Sequence, residues 1–198
     1  MSVIVSHTPA TLADAILPRH LIADIAMIAG GASATGLAAQ VVIPLWPVPI
    51  TGQTLAVLVV AASLGALRAS LSMGLYIAAG ILGVPWFSDG SYGLTAAIGP
   101  TGGYLIGFIL AAAITGWLAE RHWDRRALKA AVAFSAGSAA VFAVGLPWLG
   151  ISLHLNLQQT LEAGLYPFIA GGAIKALVAA GLIRASWALV DRAAARRP

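Results

Sequence analysis

The stretch GFILAAAITGWLAERHWDRRALKAAVAFSAGSAAVFAVG, residues 107–145, contains the pattern that decides the fold. It joins two apolar runs, 102–119 and 127–149, through a short polar segment. A membrane-spanning helix needs about 20 consecutive apolar residues, and both runs are close to that length. Four basic residues lie at this junction: Arg121, Arg125, Arg126 and Lys129. The pattern predicts two membrane helices joined by a basic loop on one side of a bilayer.

The composition of the whole chain also indicates a membrane protein. Of its 198 residues, 60% are hydrophobic and only 9% are charged, and the mean hydropathy is +0.90. Soluble domains usually carry about 25% charged residues. The net charge of +4 would suit nucleic-acid binding, but the basic residues fall mainly between and after apolar runs, where they set membrane topology. We therefore predict an integral membrane protein, embedded in a lipid bilayer, that binds no nucleic acid.

The apolar runs give the predicted architecture. Six of them follow one another along the chain: 21–45, 52–67, 69–84, 102–119, 127–149 and 167–190. The second and third are short, and Arg68 separates them, which implies a tight connection. We predict an all-α integral membrane protein, a six-transmembrane-helix bundle that forms a single membrane domain over residues 1–198.

The basic residues indicate the orientation of this bundle. Apart from the loop after the fourth run, they flank the first, second and sixth runs: Arg19, Arg68, Arg184, Arg192, Arg196 and Arg197. The intervening connections, 46–51, 85–101 and 150–166, contain no Lys or Arg. With six spans, every basic loop falls on the same side. Because cytoplasmic loops carry the excess of basic residues, we predict that both termini are cytoplasmic.

Lys175 lies on the outer half of the predicted bundle, away from the cytoplasmic side where basic residues normally collect. Lys175 stands in FIAGGAIKAL, residues 168–177, about 12 Å into the sixth run from its outer end. A lysine at the centre of a membrane helix costs about 2.5–3.5 kcal/mol. Such residues usually face a bundle interior or a water-filled cavity, although outward snorkelling remains an alternative. Asp89 and Glu162, in outer loops, are acids that could approach it; otherwise Lys175 awaits an external anion.

Small residues recur at two places where close packing is expected. Ala26, Gly30, Ala34 and Ala38 form a stripe at i+4 spacing in the first run. Such stripes let another helix approach closely in lipid, and this helix can belong to the same bundle or to a partner membrane protein. The pair Gly102-Gly103 lies at a loop-to-helix junction, where it favours internal packing or exposes backbone N–H groups to a ligand.

Enzymatic functions have little support in the sequence. Ser135 and Ser138 lie in the fifth run among small residues, without a neighbouring base, and packing is the simpler interpretation. His154 is the histidine assigned to the outer side, and one histidine without a carboxylate cluster makes a poor metal site. No phosphate-binding G-x-x-x-x-G-K-[ST] motif occurs. We predict no enzyme and no cofactor, and a membrane hydrolase is the weakest alternative.

Three segments resemble a known family. They are VPITGQTLAVLVVAASLGALRASLSMGLYIAAGILGVPWF (48–87), IGPTGGYLIGFILAAAITGWLAER (98–121) and YPFIAGGAIKALVAA (166–180). Together and in this order they closely resemble the BioY family, the biotin-specific substrate-binding (S) components of energy-coupling factor (ECF) transporters. The resemblance implies a multi-pass protein of the prokaryotic cell membrane that captures biotin near the outer face. It also implies a transmembrane coupling subunit and two ATPase subunits as partners, while self-association stays open.

The resemblance assigns roles to residues. It implies that the stripe of Ala26, Gly30, Ala34 and Ala38 is the docking surface for the coupling subunit. Biotin has an apolar bicycle, a polar ureido group and a carboxylate, so its pocket needs aromatic walls, hydrogen-bonding groups and a cation. The candidate binding residues are Thr51, Gln53, Tyr76, Trp86, Phe87, Tyr92, Thr101, Gly102, Gly103, Tyr104, Asn156, Gly172 and Lys175.

The chain departs from the family pattern at one position of this set. The pattern Gly-Asp-x-x-Lys reads here Gly171-Gly172-Ala173-Ile174-Lys175, so the acidic residue is absent. Either another polar group replaces it, or the chain binds biotin more weakly, or the sequence carries a natural or engineered substitution. An S component for another small carboxylated vitamin is therefore the main alternative to a biotin-binding transport component.

Overall fold

The computed structural model describes residues 10–17 and 20–195. In these ranges the chain is mostly helical, with one two-stranded hairpin and two short 3-10 turns, Ser88–Gly90 and Trp123–Arg125. The elements, in chain order, are α1 (Leu12–Ile16), α2 (Leu21–Ala38), β1 (Val42–Ile43), β2 (Ile50–Thr51), α3 (Gln53–Leu64), α4 (Ala66–Ile81), α5 (Gly93–Ala97), α6 (Gly102–Ala119), α7 (Ala127–Ser152), α8 (Leu157–Gly164) and α9 (Tyr166–Ala195).

The long helices follow the six apolar runs in order, but with different bounds. Four segments are long and apolar enough to cross a membrane: Leu21–Ala38, Gly102–Ala119, Ala127–Ser152 and Leu157–Ala195, the last of which covers α8 and α9. The apolar helices α3 and α4 are shorter. The six runs did not include the short helices α1, α5 and α8. Three of the basic residues used for orientation, Arg19, Arg196 and Arg197, lie outside the described residues.

The first run was predicted to continue to residue 45, but α2 ends at Ala38. The chain then turns into the antiparallel hairpin, in which Val42 pairs with Thr51 and Ile43 with Ile50. A run of Val and Ile suits a strand as well as an apolar helix, so hydropathy does not mark this boundary. The hairpin leads directly into α3 and forms one rim of the site described below.

The break between the second and third runs lies at Gly65 rather than at Arg68. Gly65 has φ +84°, a conformation that favours glycine, and it alone separates α3 from α4. The turn lies against α6, where a Cβ at Gly116 would collide with the backbone of Gly65 and Ala66. Glu120 accepts a hydrogen bond from the Ala66 backbone N–H at 2.8 Å. The connection is therefore as tight as predicted, but fixed by a glycine.

Ion pairs and a buried carboxylate mark the end of the bundle that holds the basic loops. Arg68 bonds to Asp14 of α1 at 2.9 Å and to Asp24 of α2 at 2.8 Å. In the loop between α6 and α7, the side chain of Asp124 is 1% exposed and accepts a hydrogen bond from the indole N–H of Trp187 on α9. The Arg125 guanidinium lies over the Trp187 ring, 3.9 Å from its centroid. These contacts join α9 to the α6–α7 loop.

The core divides into two clusters along the bundle. The cluster nearer the hairpin is rich in aromatic residues, among them Tyr76, Phe87, Tyr104 and Phe108. The other cluster includes Phe134, Trp187 and the first residue of α1, Leu12. Helix α6 lies at the centre, with 67% of its residues buried, and Gly107 lets it approach the backbone of Val141 on α7. The aromatic cluster leaves a cavity beside it.

Candidate binding cavity

The cavity lies at the hairpin end of the bundle, opposite Arg68 and the α6–α7 loop. Its walls come from the hairpin, the loop before α5, and helices α3, α5, α6, α7 and α9. The space between its lining atoms, counted out to and including its open mouth, is about 650 Å³. The lining residues are Val48, Pro49, Thr51, Gln53, Thr54, Phe87, Ser88, Ser91, Ala96, Thr101, Tyr104, Leu105, Phe108, Val141, Phe142, Phe168 and Lys175.

Six of the candidate binding residues meet in this cavity, although they are far apart in sequence. They are Thr51, Gln53, Phe87, Thr101, Tyr104 and Lys175. The sequence interpretation did not single out Phe108, Phe142 or Phe168. Their only signal was an aromatic side chain in an apolar run, and that signal does not distinguish a cavity wall from a lipid-facing or core position.

Lys175 reaches the cavity from α9 and contacts the hairpin. Its Nζ donates a hydrogen bond of 2.7 Å to the Thr51 backbone carbonyl, and the residue is half-buried. Neither Asp89 nor Glu162 lines the cavity, and Glu162 instead accepts a hydrogen bond from Gln158 at 2.9 Å. Among the described residues, the cavity lining contains no carboxylate. The ammonium is thus held by a neutral carbonyl, and Lys175 remains part of the cavity lining.

A buried chain of hydrogen bonds fixes the hairpin rim. The Thr51 hydroxyl donates to Gln53 Oε1 at 2.6 Å, and the Gln53 amide donates to the Tyr76 hydroxyl at 2.6 Å. The Tyr76 hydroxyl in turn donates to the Trp86 carbonyl at 3.2 Å, and the Trp86 indole N–H donates to the Tyr76 carbonyl at 2.8 Å. Tyr76 and Trp86 therefore lie behind the lining, where they orient Gln53.

Aromatic rings from three helices form the opposite wall. The rings of Tyr104 on α6 and Phe142 on α7 pack edge to face at 6.2 Å, and Phe142 packs against Phe168 on α9 at the same distance. The Tyr104 hydroxyl donates a hydrogen bond of 3.0 Å to the Gly164 carbonyl, so its proton is already bound within the protein and is not free to donate to a ligand. This wall is apolar toward the cavity and suits a flat or bicyclic apolar group.

Four other candidate residues lie away from the main cavity. Gly102 and Gly103 pack beneath Trp148 on α7, and a Cβ at Gly103 would collide with that side chain. Tyr92 is 60% exposed and is not part of the lining. Asn156 caps α8, where its side chain accepts a hydrogen bond from the Gln159 backbone N–H at 2.9 Å. The glycine pair thus has a packing role that the sequence had left open.

Gly172 lines a smaller adjoining pocket together with Lys175 and Ser138. A Cβ built on Gly172 would meet no atom within 4 Å, so the position faces open space. Ser135, the other serine considered as a nucleophile, is exposed on α7. Among the described lining residues of both pockets there is no histidine, so no base for serine catalysis is present there.

The small-residue stripe lies mainly on an outer face of α2. Ala26, Gly30 and Ala34 are exposed and Ala38 is half-buried, and a Cβ at Gly30 would meet no atom within 4 Å. The buried face of α2 instead presents Gly31, Ala32, Thr35 and Gly36. Ala26, Gly30 and Ala34 are therefore not used for packing inside the described part of the chain, whereas Ala38 lies against Gly52 at the start of α3.

Comparison with known proteins gives a consistent set of relatives. The BioY family profile matches residues 8–192. The protein named biotin transporter BioY from Thermotoga maritima is 36% identical over 142 residues, which cover 72% of this chain and 82% of that protein. The biotin transporter BioY of Rhizobium etli is 34% identical over 159 residues, with 77% and 84% covered.

A solved structure shows the same fold. The crystal structure of the S-component for biotin from an ECF-type ABC transporter superposes with a TM-score of 0.74 at 24% identity. The superposition covers 82% of this chain and 89% of the other. The family profile spans nearly the whole sequence, including every residue that lines the cavity. The chain therefore belongs to the BioY family.

Proposed function

We propose that this chain captures biotin for uptake, as the substrate-binding component of an ECF-type vitamin transporter, and has no enzymatic activity of its own. One observation carries the proposal: an aromatic cavity whose only described charged lining residue is Lys175, with no carboxylate to neutralise it. The relatives named biotin transporters and the solved S-component for biotin support the same ligand.

The cavity offers each part of biotin a matching surface. The aromatic wall of Tyr104, Phe142 and Phe168 suits the apolar bicycle. Side chains of the hairpin rim and of the loop before α6, such as Gln53 and Thr101, can hydrogen-bond the ureido group. The Lys175 ammonium pairs with the carboxylate, and such charge-assisted bonds are roughly twice as strong as neutral ones.

We also propose that the chain is a six-span protein of the prokaryotic cell membrane with both termini in the cytoplasm. The distribution of basic residues between the two ends of the bundle supports this orientation. Connections without Lys or Arg surround the cavity at one end, and Arg68, Arg125 and their neighbours lie at the opposite end. In this orientation the cavity opens outward, where a scarce vitamin would be captured.

The exposed stripe of α2 supports docking of a partner in the membrane. Ala26, Gly30 and Ala34 leave a face on which another helix backbone can approach closely. We propose that this face meets the transmembrane coupling subunit of an energising module that includes two ATPase subunits. A second copy of this chain is the competing occupant.

Equilibrium binding to the purified full-length chain, in detergent micelles or nanodiscs, tests the ligand. We expect saturable binding of biotin at one site per chain and much weaker binding of other carboxylated vitamins, such as lipoate and pantothenate. Tighter binding of one of those would favour the second candidate, an S component for another vitamin, which the glycine at position 172 makes reasonable. Binding of none of them would overturn the proposal.

A further inference from the structure

The loop of residues 87–91, between α4 and α5, forms part of the cavity wall. Phe87, Ser88 and Ser91 all line the cavity. Phe87 is 3% exposed, and its ring packs edge to face against the ring of Tyr76, with the two centroids 5.4 Å apart. The position of the loop backbone therefore sets the shape of the cavity on this side.

The backbone of this loop has a conformation that needs support. Asp89 and Gly90 have φ of +57° and +67°, in the left-handed region that residues other than glycine adopt at a cost. The Phe87 N–H donates to the Ser91 carbonyl at 3.0 Å, and the Ser91 hydroxyl donates to the Ser88 carbonyl at 2.8 Å. The buried Ser88 hydroxyl makes no hydrogen bond to any described residue. These bonds fold the loop on itself but do not attach it to the helices.

Gln40, just beyond the end of α2, makes this attachment. Its Nε2 donates to the Phe87 carbonyl at 3.2 Å, and its Oε1 accepts a hydrogen bond from the Gly90 backbone N–H at 3.0 Å. Nε2 also donates to the Gly36 carbonyl at 3.0 Å, in the last turn of α2, where carbonyls lack partners within the helix. Among the described residues, no other group outside the loop forms a hydrogen bond with residues 87–91.

The groups around Gln40 specify an amide side chain. Two carbonyl oxygens face its NH₂ group, and one backbone N–H faces its oxygen. A carboxylate of the same length would place a charged oxygen against two carbonyls, and an apolar side chain would leave all three groups without a partner. The two bonded groups of the loop, the Phe87 carbonyl and the Gly90 N–H, lie on either side of Ser88. One side chain thus holds both ends of a segment that lines the cavity.

We propose that Gln40 is a positioning residue of the cavity: it holds the loop of residues 87–91 in place as a wall and thereby slows the escape of bound ligand. The inference rests on the proposed function, because it concerns retention of the same ligand in the same site. Gln40 does not line the cavity, so it acts through Phe87 and Ser88. A loop released from Gln40 keeps its lining residues but no longer fixes where they stand. Differences in affinity between variants of one site lie mostly in the dissociation rate.

Gln40→Met tests this role, because methionine is unbranched and neutral but forms none of the three hydrogen bonds. With purified full-length protein in nanodiscs, we expect biotin to dissociate about fivefold faster than from the parent, or more, while the association rate stays within about twofold. Fivefold is the low end for the loss of two hydrogen bonds, because Gln40 is exposed. The unfolding temperature without ligand should not change, since a loop opens locally. Gln40→Glu should release biotin at least as fast as Gln40→Met.

Leu37→Ala is the matched control, since Leu37 lies three residues before Gln40, is 74% exposed and lines neither pocket. It should leave both rate constants unchanged. Hydrogen exchange reports on the loop itself, and the amides of residues 87–91 should exchange faster in Gln40→Met while those of α6 do not.

Two results would overturn the inference while leaving biotin binding intact. One is a dissociation rate equal to that of the parent in both Gln40→Met and Gln40→Glu. The other is a lower unfolding temperature in Gln40→Met with unchanged exchange of the loop amides, which would show that Gln40 only stabilises the end of α2. A parent chain that does not bind biotin would refute the proposed function instead.

Discussion

Replacement of Lys175 by methionine is the most direct test of the site. Methionine is unbranched and matches the apolar stem of lysine, but it removes the ammonium and its 2.7 Å hydrogen bond to the Thr51 carbonyl. Without ligand, two effects oppose each other. Loss of a hydrogen bond to a charged group costs about 1.5–3 kcal/mol, and removal of a lysine from a membrane span returns about 2.5–3.5 kcal/mol. We therefore expect the unliganded variant to be as stable as the parent, or more stable by up to about 2 kcal/mol.

Ligand binding should respond differently, because the bound carboxylate would lose its cation. A loss of about 1.5–3 kcal/mol corresponds to a decrease in biotin affinity of about 10-fold to 150-fold. The amide of biotin should lose much less, since it never forms the charge-assisted bond. The difference between the two losses isolates the contact between the ammonium and the carboxylate from any movement of the hairpin.

Isothermal titration with purified protein gives the affinities, and thermal unfolding of the unliganded protein gives the stability comparison. Gly181→Ala is a matched control on the same helix, because a Cβ there would meet no atom within 4 Å and the residue lines neither pocket. It should bind biotin as the parent does. If Lys175→Met binds biotin within about twofold of the parent, Lys175 is not the carboxylate anchor, and its bond to Thr51 serves the hairpin alone.

Three further outcomes are expected from other parts of the structure. A cysteine placed at Ser91 should react with an impermeant thiol reagent added outside intact cells, and one at Leu128 should react only after permeabilisation; the reverse pattern would refute the orientation. Ala34→Phe should abolish co-purification with the coupling subunit while biotin affinity stays unchanged, and loss of binding with intact association would show that the stripe packs internally. Trp187→Phe keeps a ring beneath Arg125 but removes the donor to Asp124, whose pKa is raised by burial and lowered by that hydrogen bond. Loss of the indole donor raises the pKa of Asp124 further, and a carboxyl group with a raised pKa in the folded state lowers stability as the pH rises above the ordinary carboxylate range. The variant should therefore lose about 1.5–3 kcal/mol more stability at pH 8 than at acidic pH, as measured by unfolding. A loss that does not depend on pH would contradict this reasoning.

The long helices were predictable because their signals are local. Apolar runs near the length of a bilayer and the basic residues between them can be read without knowledge of any partner, and α6 begins and ends where the sequence indicated, at Gly102 and Ala119. The end of α2 was not predictable, because Val42 and Ile43 suit a membrane helix and a strand equally. What decides between them is the pairing with Ile50 and Thr51, a contact that hydropathy does not encode.

Prediction from the sequence reached a similar limit for the side chains of the candidate site. Lys175 could be singled out because a charge in an apolar run is rare and costly. The aromatic residues were harder to assign, since Tyr76 and Phe142 look alike in sequence, yet Tyr76 is completely buried behind the hairpin while Phe142 lines the cavity. Which role an aromatic residue takes depends on the packing of helices that are distant in sequence, and the glycines that permit this packing, such as Gly107, carry no side-chain signal of their own.

The hairpin gives a physical reason for a lysine without a neighbouring acid. The carbonyl that holds Lys175 belongs to Thr51, whose position is fixed twice: by strand pairing with Val42, and by the hydrogen bonds that run through Gln53 to Tyr76. A carbonyl fixed in this way can orient the ammonium but cannot neutralise it, whereas an acidic side chain would do both. The charge therefore stays available to a ligand that brings its own carboxylate. Substitutions that loosen the hairpin, such as Tyr76→Phe, should then weaken biotin binding although Tyr76 itself lines neither pocket.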